Sequence, residues 1–254
     1  MLATRVMPCL LLRGGSLVKT VRFRDPGYVG DPINAIRIYN EKEVDELILL
    51  DIDATREHRQ PPFEVLGQIA GECFMPVTYG GGIRSLEDIK EVLRLGIEKV
   101  AINSYAVERP SFVREAADRF GSQSIVVSID AKKRDLHRYE VWTHGGTKRT
   151  GLVAAEVACQ MEQVGAGEIL LTSIDRDGTR EGYDLELLKQ VASVVHVPVI
   201  ACGGAGSVQD LRAAVCQGGV PACALGSMVV FFGQNRAVLI SFPARDELEK
   251  AFQE

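Results

Sequence analysis

Two glycine pairs are the first candidates for chemistry in this chain. Gly81-Gly82 and Gly203-Gly204 each follow a short apolar run. Glycine lets backbone N–H groups approach an anion closely, and the start of a following helix adds positive potential. A single pair is weak evidence, because a tight turn between a strand and a helix also favours glycine. Two equivalent pairs predict two phosphate-binding cradles, formed by Gly81, Gly82, Asn103 and Ser104 in the first and by Asp177, Gly178, Gly203, Gly204, Gly226 and Ser227 in the second.

Acidic residues stand at the ends of several apolar runs. Asp130 ends the run that begins at Ser124, and Asp51 and Asp53 end an earlier one. Ligands of α/β proteins bind at the carboxyl ends of the strands. A carboxylate in this place can accept or donate a proton during a reaction. We therefore predict Asp130 as the first candidate for acid–base chemistry.

Composition argues against several other kinds of chemistry. None of the 4 histidines pairs with another at metal-ligand spacing, and the 6 cysteines include no Cys-x-x-Cys pair. The net charge is -5 and the basic residues are scattered, whereas a nucleic-acid-binding protein carries a basic patch. No apolar stretch approaches the roughly 18 residues of a membrane span. We expect a cytoplasmic protein without metal, cofactor or disulfide that binds compact anions and neither nucleic acid nor membrane.

The elements that would position these residues are apolar runs separated by longer amphipathic segments, two of which begin near the plausible N-caps Ser85 and Ser207. Continuous apolar strands that alternate with helices are typical of a parallel sheet covered on both faces. Eight such units in one chain of this length favour a closed α/β barrel, the (β/α)8 TIM barrel of about 250 residues. The segment 139–143, followed by Gly145-Gly146, predicts a small β-hairpin after the fifth strand. The eight runs are 6–12, 46–52, 76–79, 99–103, 124–130, 168–173, 197–201 and 222–226.

An internal repeat divides the chain into two similar halves. The segment 76–85 matches 198–207 at an offset of 122 positions, and 46–50 matches 168–172 at the same offset. No linker or low-complexity stretch separates the halves, so they are expected to share one core. We predict a single barrel domain, 1–254, made of half-barrels of about 1–122 and 123–254. The two cradles would then face each other across one barrel mouth, which suits a ligand with a phosphate at each end.

Longer segments resemble one enzyme family. The sequences GAGEILLTSIDRDGT at 165–179, ACGGAG at 201–206 and FGSQS at 120–124 closely resemble the cyclase subunit of imidazole glycerol phosphate synthase, the HisF family. The similarity extends from Leu2 to about Phe231. It implies a barrel that receives ammonia from a separate, HisH-like glutaminase at its N-terminal face. The ammonia would meet a bisphosphorylated ribulose-type substrate at the C-terminal face, where aspartates that end the first and fifth strands act as general acid and base.

The resemblance breaks at one of the two catalytic aspartates. Asp130 matches the fifth-strand aspartate, whereas Leu11 stands where the family pattern has the aspartate of the first strand. The internal repeat gives the same pairing, because aligning 6–13 with 125–132 places Leu11 opposite Asp130. Leucine cannot transfer a proton, and losing one acid or base lowers a rate by about 10²- to 10⁴-fold. We therefore expect independent cyclase activity to be strongly reduced.

The resemblance also implies roles for charged residues. The family gates its ammonia passage with four charged residues at the N-terminal face, and these positions hold Arg5, Glu46, Lys99 and Glu168. Without the family, this quartet would indicate only a stabilising ion-pair network. Lys19 matches a family lysine in the flexible loop after the first strand. We predict that Lys19 contacts substrate or phosphate, and a solvated loop lysine is the alternative.

Three further departures resemble a side branch of the family. They are Tyr105, which follows Asn103-Ser104, the segment 17–23 and the tail 231–243. With Leu11, they resemble cyclase-like proteins of surface-polysaccharide clusters, such as those for the O-antigen of lipopolysaccharide, in which a barrel passes ammonia from a glutaminase to a sugar amidotransferase. We therefore expect the ammonia-conducting subunit of a glutamine amidotransferase complex. The alternatives are a genuine cyclase, a lyase of histidine biosynthesis, and a stand-alone isomerase of two-phosphate sugars, which would need no ammonia entrance.

Overall fold

A closed barrel of parallel strands forms the centre of the computed structural model, which describes residues 4–233 and 235–253. The barrel strands pair in the order β1, β4, β5, β6, β7, β10, β11 and β12, and pairing of β12 with β1 closes the ring. All eight predicted strands are confirmed. In chain order the strands are β1 (Arg5–Arg13), β2 (Ser16–Val21), β3 (Arg24–Gly30), β4 (Leu47–Asp51), β5 (Val77–Gly80), β6 (Lys99–Ile102), β7 (Ile125–Lys133), β8 (Tyr139–Thr143), β9 (Lys148–Val153), β10 (Glu168–Ser173), β11 (Val199–Cys202), β12 (Ala222–Leu225), β13 (Phe231–Phe232) and β14 (Ala237–Val238).

Helices cover the outside of the barrel and bury its outward-facing strand residues. Two of them begin with a capping box, at Ser85 with Asp88 and at Ser207 with Asp210, as the sequence predicts for these serines. Among the described residues, no helix is long and apolar enough to cross a membrane. The helices are α1 (Pro32–Glu41), α2 (Phe63–Glu72), α3 (Leu86–Arg94), α4 (Ser104–Glu108), α5 (Pro110–Phe120), α6 (Ala154–Gln163), α7 (Leu185–Ala192), α8 (Val208–Cys216) and α9 (Arg245–Gln253), with short 3-10 turns at Ser122–Ser124 and Ser227–Val229.

The strand register reproduces the internal repeat. Ile48 pairs with Thr78 in the first half, and Leu170 pairs with Ile200 in the second. Both pairs are related by the 122-position offset of the sequence repeat. The halves therefore align residue by residue, which makes a comparison of equivalent positions meaningful.

Two antiparallel hairpins extend from the barrel mouth. Strands β8 and β9 form the hairpin predicted after the fifth barrel strand. The segment after β1, predicted as a flexible loop carrying Lys19, is instead the hairpin β2–β3, with Lys19 on β2. That prediction is wrong because the two residues of the turn, Arg22 and Phe23, lack a recognisable turn signal although both adopt positive φ, at 53° and 61°.

Candidate active site at the barrel mouth

One cavity of about 400 Å³ opens at the carboxyl ends of the barrel strands. It brings both predicted cradles together with the predicted acid and lysine. Leu11 and the hairpin residue Phe23 line the same cavity. The predicted residues found there are Lys19, Gly81, Gly82, Asn103, Ser104, Asp130, Asp177, Gly178, Gly203, Gly204, Gly226 and Ser227.

The two glycine turns are built alike. Gly81 and Gly203 have φ of +127° and +89°. A Cβ on Gly81 would lie 2.6 Å from the Asp51 carbonyl oxygen, and one on Gly203 would lie 2.7 Å from that of Ser173. Because any larger side chain would collide with the neighbouring strand end, glycine is required at both turns. The cradle geometry is thus set by packing in both halves of the barrel.

Asp130 is a buried acid at the end of β7. The Asn103 side-chain amide donates a hydrogen bond to its Oδ2 at 3.0 Å, and Thr172 lies beside it in the strand register. Burial raises the pKa of Asp130 to about 7, and the nearby Asp177 adds to the increase. An acid with this pKa can both donate and accept a proton near neutral pH.

Leu11 occupies the position of Asp130 in the other half-barrel. In the strand register, Leu11 pairs with Leu50 on β4, whereas Asp130 pairs with Thr172 on β10. Leu50 and Thr172 are themselves separated by the repeat offset of 122. In the second half-barrel this part of the mouth is formed by an acid and a hydroxyl, Asp130 and Thr172. In the first half-barrel the equivalent positions are both leucine.

Asp177 is the other carboxylate close to Asp130. Its Oδ2 accepts a hydrogen bond from the Thr20 hydroxyl at 2.7 Å and another from the Phe23 backbone N–H at 3.2 Å. The Arg22 N–H donates to the Asp177 carbonyl oxygen at 2.9 Å. Asp177, which we predicted as a phosphate-binding residue, lines the mouth with the other residues of the second cradle, and its carboxylate holds the β2–β3 hairpin over the mouth.

Lys19 is buried rather than solvated. Its ammonium group donates to the Cys9 carbonyl oxygen inside the mouth. A Cβ added at Gly226 would lie 3.1 Å from Lys19 Nζ, which places this cation beside the second cradle. Cys9 and Cys202 line the same region of the mouth. Neither cysteine was a predicted site residue, because a single cysteine within an apolar strand has no distinctive pattern.

Arg236 is a second cation at this cradle, and it was not a predicted site residue. Its guanidinium donates to the Gly178 carbonyl oxygen at 2.8 Å and to Ser227 Oγ at 3.4 Å. It also lies over the Phe231 ring, 5.0 Å from the ring centroid. A contact across 58 positions of sequence has no local signal, so only the fold could place Arg236 here.

The four charged residues at the opposite end of the barrel form a closed ring. Arg5 pairs with Glu46 at 3.0 Å and with Glu168 at 2.9 Å. Lys99 pairs with Glu46 at 2.9 Å and with Glu168 at 3.1 Å. The Arg5 side chain keeps 29% of its surface exposed, so the ring is reached by solvent rather than covered by apolar residues. Thr78 donates a further hydrogen bond to Glu46 at 2.9 Å.

The interior between the ring and the mouth is apolar. Its side chains belong to one buried cluster, separate from the larger core beneath the helices. An apolar lining disfavours a bare ion strongly and a small neutral molecule much less. The cluster comprises Met7, Cys9, Ile48, Ala101, Val126, Leu170, Ile200, Ala222 and Ala224.

Within residues 4–233 and 235–253, no group of three or more His, Cys, Asp or Glu side chains is arranged to hold a metal ion. His144 lines the cavity, and its backbone N–H donates to Ser104 Oγ at 2.9 Å. Ser104 in turn donates to Asn103 Oδ1 at 3.1 Å. The Ser104 hydroxyl of the first cradle therefore accepts a hydrogen bond from the β8–β9 turn.

Fold and site together define a class: a (β/α)8 barrel with a two-cradle mouth, a buried acid and a charged ring at its floor. A family model described as histidine biosynthesis protein matches residues 5–235. The chain therefore belongs to the histidine biosynthesis protein family, and within it to the HisF family of imidazole glycerol phosphate synthase subunits.

The relatives match along nearly the whole chain. A Pseudomonas aeruginosa protein provisionally named as imidazole glycerol phosphate synthase subunit hisF2 is 53% identical over 98% of this chain and 99% of its own length. A Leptospira interrogans protein provisionally named as subunit HisF is 47% identical over 99% of this chain and 100% of its own. The imidazole glycerol phosphate synthase subunit HisF of Alkaliphilus metalliredigens is 46% identical over 90% of each chain.

Proposed function

We propose that this chain is the ammonia-conducting subunit of a glutamine amidotransferase complex in the cytoplasm. A HisH-like glutaminase docks at the N-terminal face, ammonia crosses the barrel, and an acceptor enzyme takes it at the C-terminal mouth. The acceptor that fits the side-branch resemblance is a sugar amidotransferase of surface-polysaccharide biosynthesis, such as that of the O-antigen.

The observation that carries this proposal is the difference between the two ends of the barrel. At the mouth, Leu11 stands at the position equivalent to Asp130, where the family resemblance implies a second acid. At the floor, all four members of the charged ring are present and paired. We expect chemistry that needs two carboxylates to be impaired, whereas the charged ring at the ammonia entrance is complete.

The ring and the apolar interior together suit neutral ammonia. Ammonium arriving at the floor meets Glu46 and Glu168, which can accept its proton or hold it in hydrogen bonds. The apolar cluster above the ring disfavours any ion. Only ammonia in its neutral form then passes to the mouth.

A docking surface for the glutaminase is supported by an exposed aromatic residue on the same face as the ring. Phe74 lies between α2 and β5, at the N-terminal end of the barrel, and 89% of its surface is exposed. Its backbone N–H donates to Asn40 Oδ1 at 3.1 Å, and this hydrogen bond fixes the turn that carries the Phe74 side chain. Rigidly held aromatic residues are frequent energetic centres of protein interfaces.

The second candidate function is that of a genuine cyclase making imidazole glycerol phosphate in histidine biosynthesis. Asp177 favours it, because this carboxylate lies close enough to raise the pKa of Asp130 and lines the same cavity. In that case Asp177 would release the β2–β3 hairpin and take over the role of the missing aspartate. The hydrogen bonds from Thr20 and Phe23 weigh against it.

A rate measurement separates these two functions. The purified barrel is supplied with ammonium and the bisphosphorylated ribulose-type substrate of the HisF family. The conduit proposal predicts turnover at least about 100-fold below that of an ordinary cyclase, because one of two proton-transfer groups is missing. Turnover within tenfold of the ordinary enzyme would refute it. Failure of the barrel to bind any glutaminase would refute both functions and favour an isomerase that acts alone.

A further inference from the structure

The tail hairpin β13–β14 directs one side chain back into the mouth. Arg236 stands just before β14 with φ of +51°, a conformation that an L-residue adopts only when its surroundings hold it there. Its guanidinium is half-buried and lies over the Phe231 ring of the same hairpin. Hydrogen bonds to Gly178 and Ser227 fix the group at the second cradle.

The charge of Arg236 has no carboxylate partner within salt-bridge distance among residues 4–233 and 235–253. The same holds for Lys19, which faces the cradle from the opposite hairpin. Burial raises the pKa of Asp177 and the two nearby cations partly oppose that increase, but its Oδ2 is bonded to the β2–β3 hairpin. Two half-buried or buried cations thus flank a glycine turn in a chain whose net charge is -5.

Two arginines, Arg56 and the exposed Arg84, also line the mouth near the first cradle, but neither contacts the cradle hydroxyl. That hydroxyl, on Ser104, is instead engaged by Asn103 and by the backbone of His144. At the second cradle, the hydroxyl of Ser227 contacts a guanidinium instead. The two cradles are therefore alike in backbone but differ in whether a cation contacts the cradle hydroxyl.

We propose that Arg236 binds the anionic end of the ligand at the second cradle, and that this end is a phosphate monoester. Guanidinium groups match phosphate oxygens in geometry and remain charged at any physiological pH. Arg236 and Lys19 supply the positive charge, and the backbone around Gly203, Gly204 and Gly226 supplies the close approach. The inference rests on the prediction that the second cradle binds phosphate, and it holds whether the barrel conducts ammonia or catalyses cyclisation.

The test is a titration of the ¹⁵N-labelled protein with inorganic phosphate and with glycerol 3-phosphate, observed at the glycine amides of each cradle. We expect Arg236→Gln to weaken binding at Gly203 and Gly204 by about tenfold or more, the usual effect of losing a charge-assisted contact. Binding at Gly81 and Gly82 should be unchanged. Arg236→Lys should restore part of the affinity, and the exposed Arg245→Gln should have no effect.

Each other outcome overturns the inference. If Arg236→Gln leaves the affinity at Gly203 within twofold of wild type while the protein stays folded, Arg236 serves only to position the hairpin. If Arg236→Lys binds no better than Arg236→Gln, the side chain acts through its contacts with Gly178 and Ser227 rather than through its charge. If the wild type shows no response at the second cradle to either probe, that cradle does not bind phosphate. None of these results bears on ammonia transfer, which is measured separately.

Discussion

Leu11 on β1 and Asp130 on β7 line one cavity from equivalent positions of the two half-barrels. The two side chains therefore occupy equivalent backbone positions, but only Asp130 can transfer a proton. Because the surrounding register is unchanged, the difference between the two walls is a difference in side chains rather than in fold. A single substitution can therefore test whether an acid at the position of Leu11 supports cyclase chemistry.

We predict that Leu11→Asp raises cyclase turnover of the bisphosphorylated substrate by about 100-fold or more, the usual contribution of one positioned acid or base. Leu11→Asn is the matched control, because asparagine has nearly the same shape as aspartate and cannot exchange a proton. Equal rates for the two variants would mean that polarity at this position matters and proton transfer does not.

The stability of the barrel should depend on pH through Asp130. Burial raises its pKa from 3.8 to about 7, so between these values the folded chain keeps a proton that the unfolded chain has lost. Asp130 therefore has no unfavourable effect below pH 4, and its cost grows as pH rises to 7, to at most roughly 4 kcal/mol. We expect the free energy of unfolding of Asp130→Asn, relative to wild type, to increase between pH 4 and pH 8. Urea unfolding at several pH values measures it, and a constant difference contradicts the raised pKa.

The charged ring should contribute to stability as well as to passage. Lys99→Met leaves Glu46, only 5% exposed, with Arg5 as its single remaining cation. We expect a loss of roughly 2 to 4 kcal/mol in the free energy of unfolding, because a nearly buried carboxylate loses its closest partner. Lys133→Met, which removes an exposed pair with Glu186, should leave the free energy of unfolding close to that of wild type. Equal losses for both variants would mean that the ring is an ordinary surface network.

Phe74 should determine affinity for the glutaminase. We predict that Phe74→Asp raises the dissociation constant by about tenfold or more, since truncating a central aromatic contact commonly costs 2 kcal/mol or more, at roughly tenfold per 1.4 kcal/mol. Tyr28→Asp is the control, because Tyr28 is 70% exposed on β3 at the opposite end of the barrel. Titration calorimetry with purified glutaminase measures both. If Tyr28→Asp weakened glutaminase binding equally, the glutaminase would not dock specifically at the face that carries Phe74.

Most of the barrel could be predicted from sequence because its strands are apolar runs and its halves repeat. The same repeat located both cradles and paired Leu11 with Asp130. The hairpin β2–β3 was not predicted, since Arg22 and Phe23 occupy a turn that usually contains Gly or Asn. As a result, Lys19 was expected in a loop and is buried on a strand.

Contacts between distant segments account for the parts of the site that no sequence pattern predicts. Asp177 follows a barrel strand as a cradle residue would, and its carboxylate is also bonded to Thr20, 157 positions away. Arg236 reaches Gly178 across 58 positions. Neither contact has a periodic or local pattern, so the role of each side chain became apparent only from the folded chain.

The most direct test of the account follows the nitrogen itself. Glutamine labelled with ¹⁵N in its side-chain amide is supplied to the complex of barrel, glutaminase and sugar amidotransferase in a solution of unlabelled ammonium. We predict that the product carries mainly ¹⁵N, and that Ala222→Leu, which fills the apolar interior, shifts the product to the isotope ratio of the solution, whereas Ala213→Leu on the outer helix α8 does not. A wild-type product with the isotope ratio of the solution, or ¹⁵N transfer unaffected by Ala222→Leu, would contradict passage through the barrel.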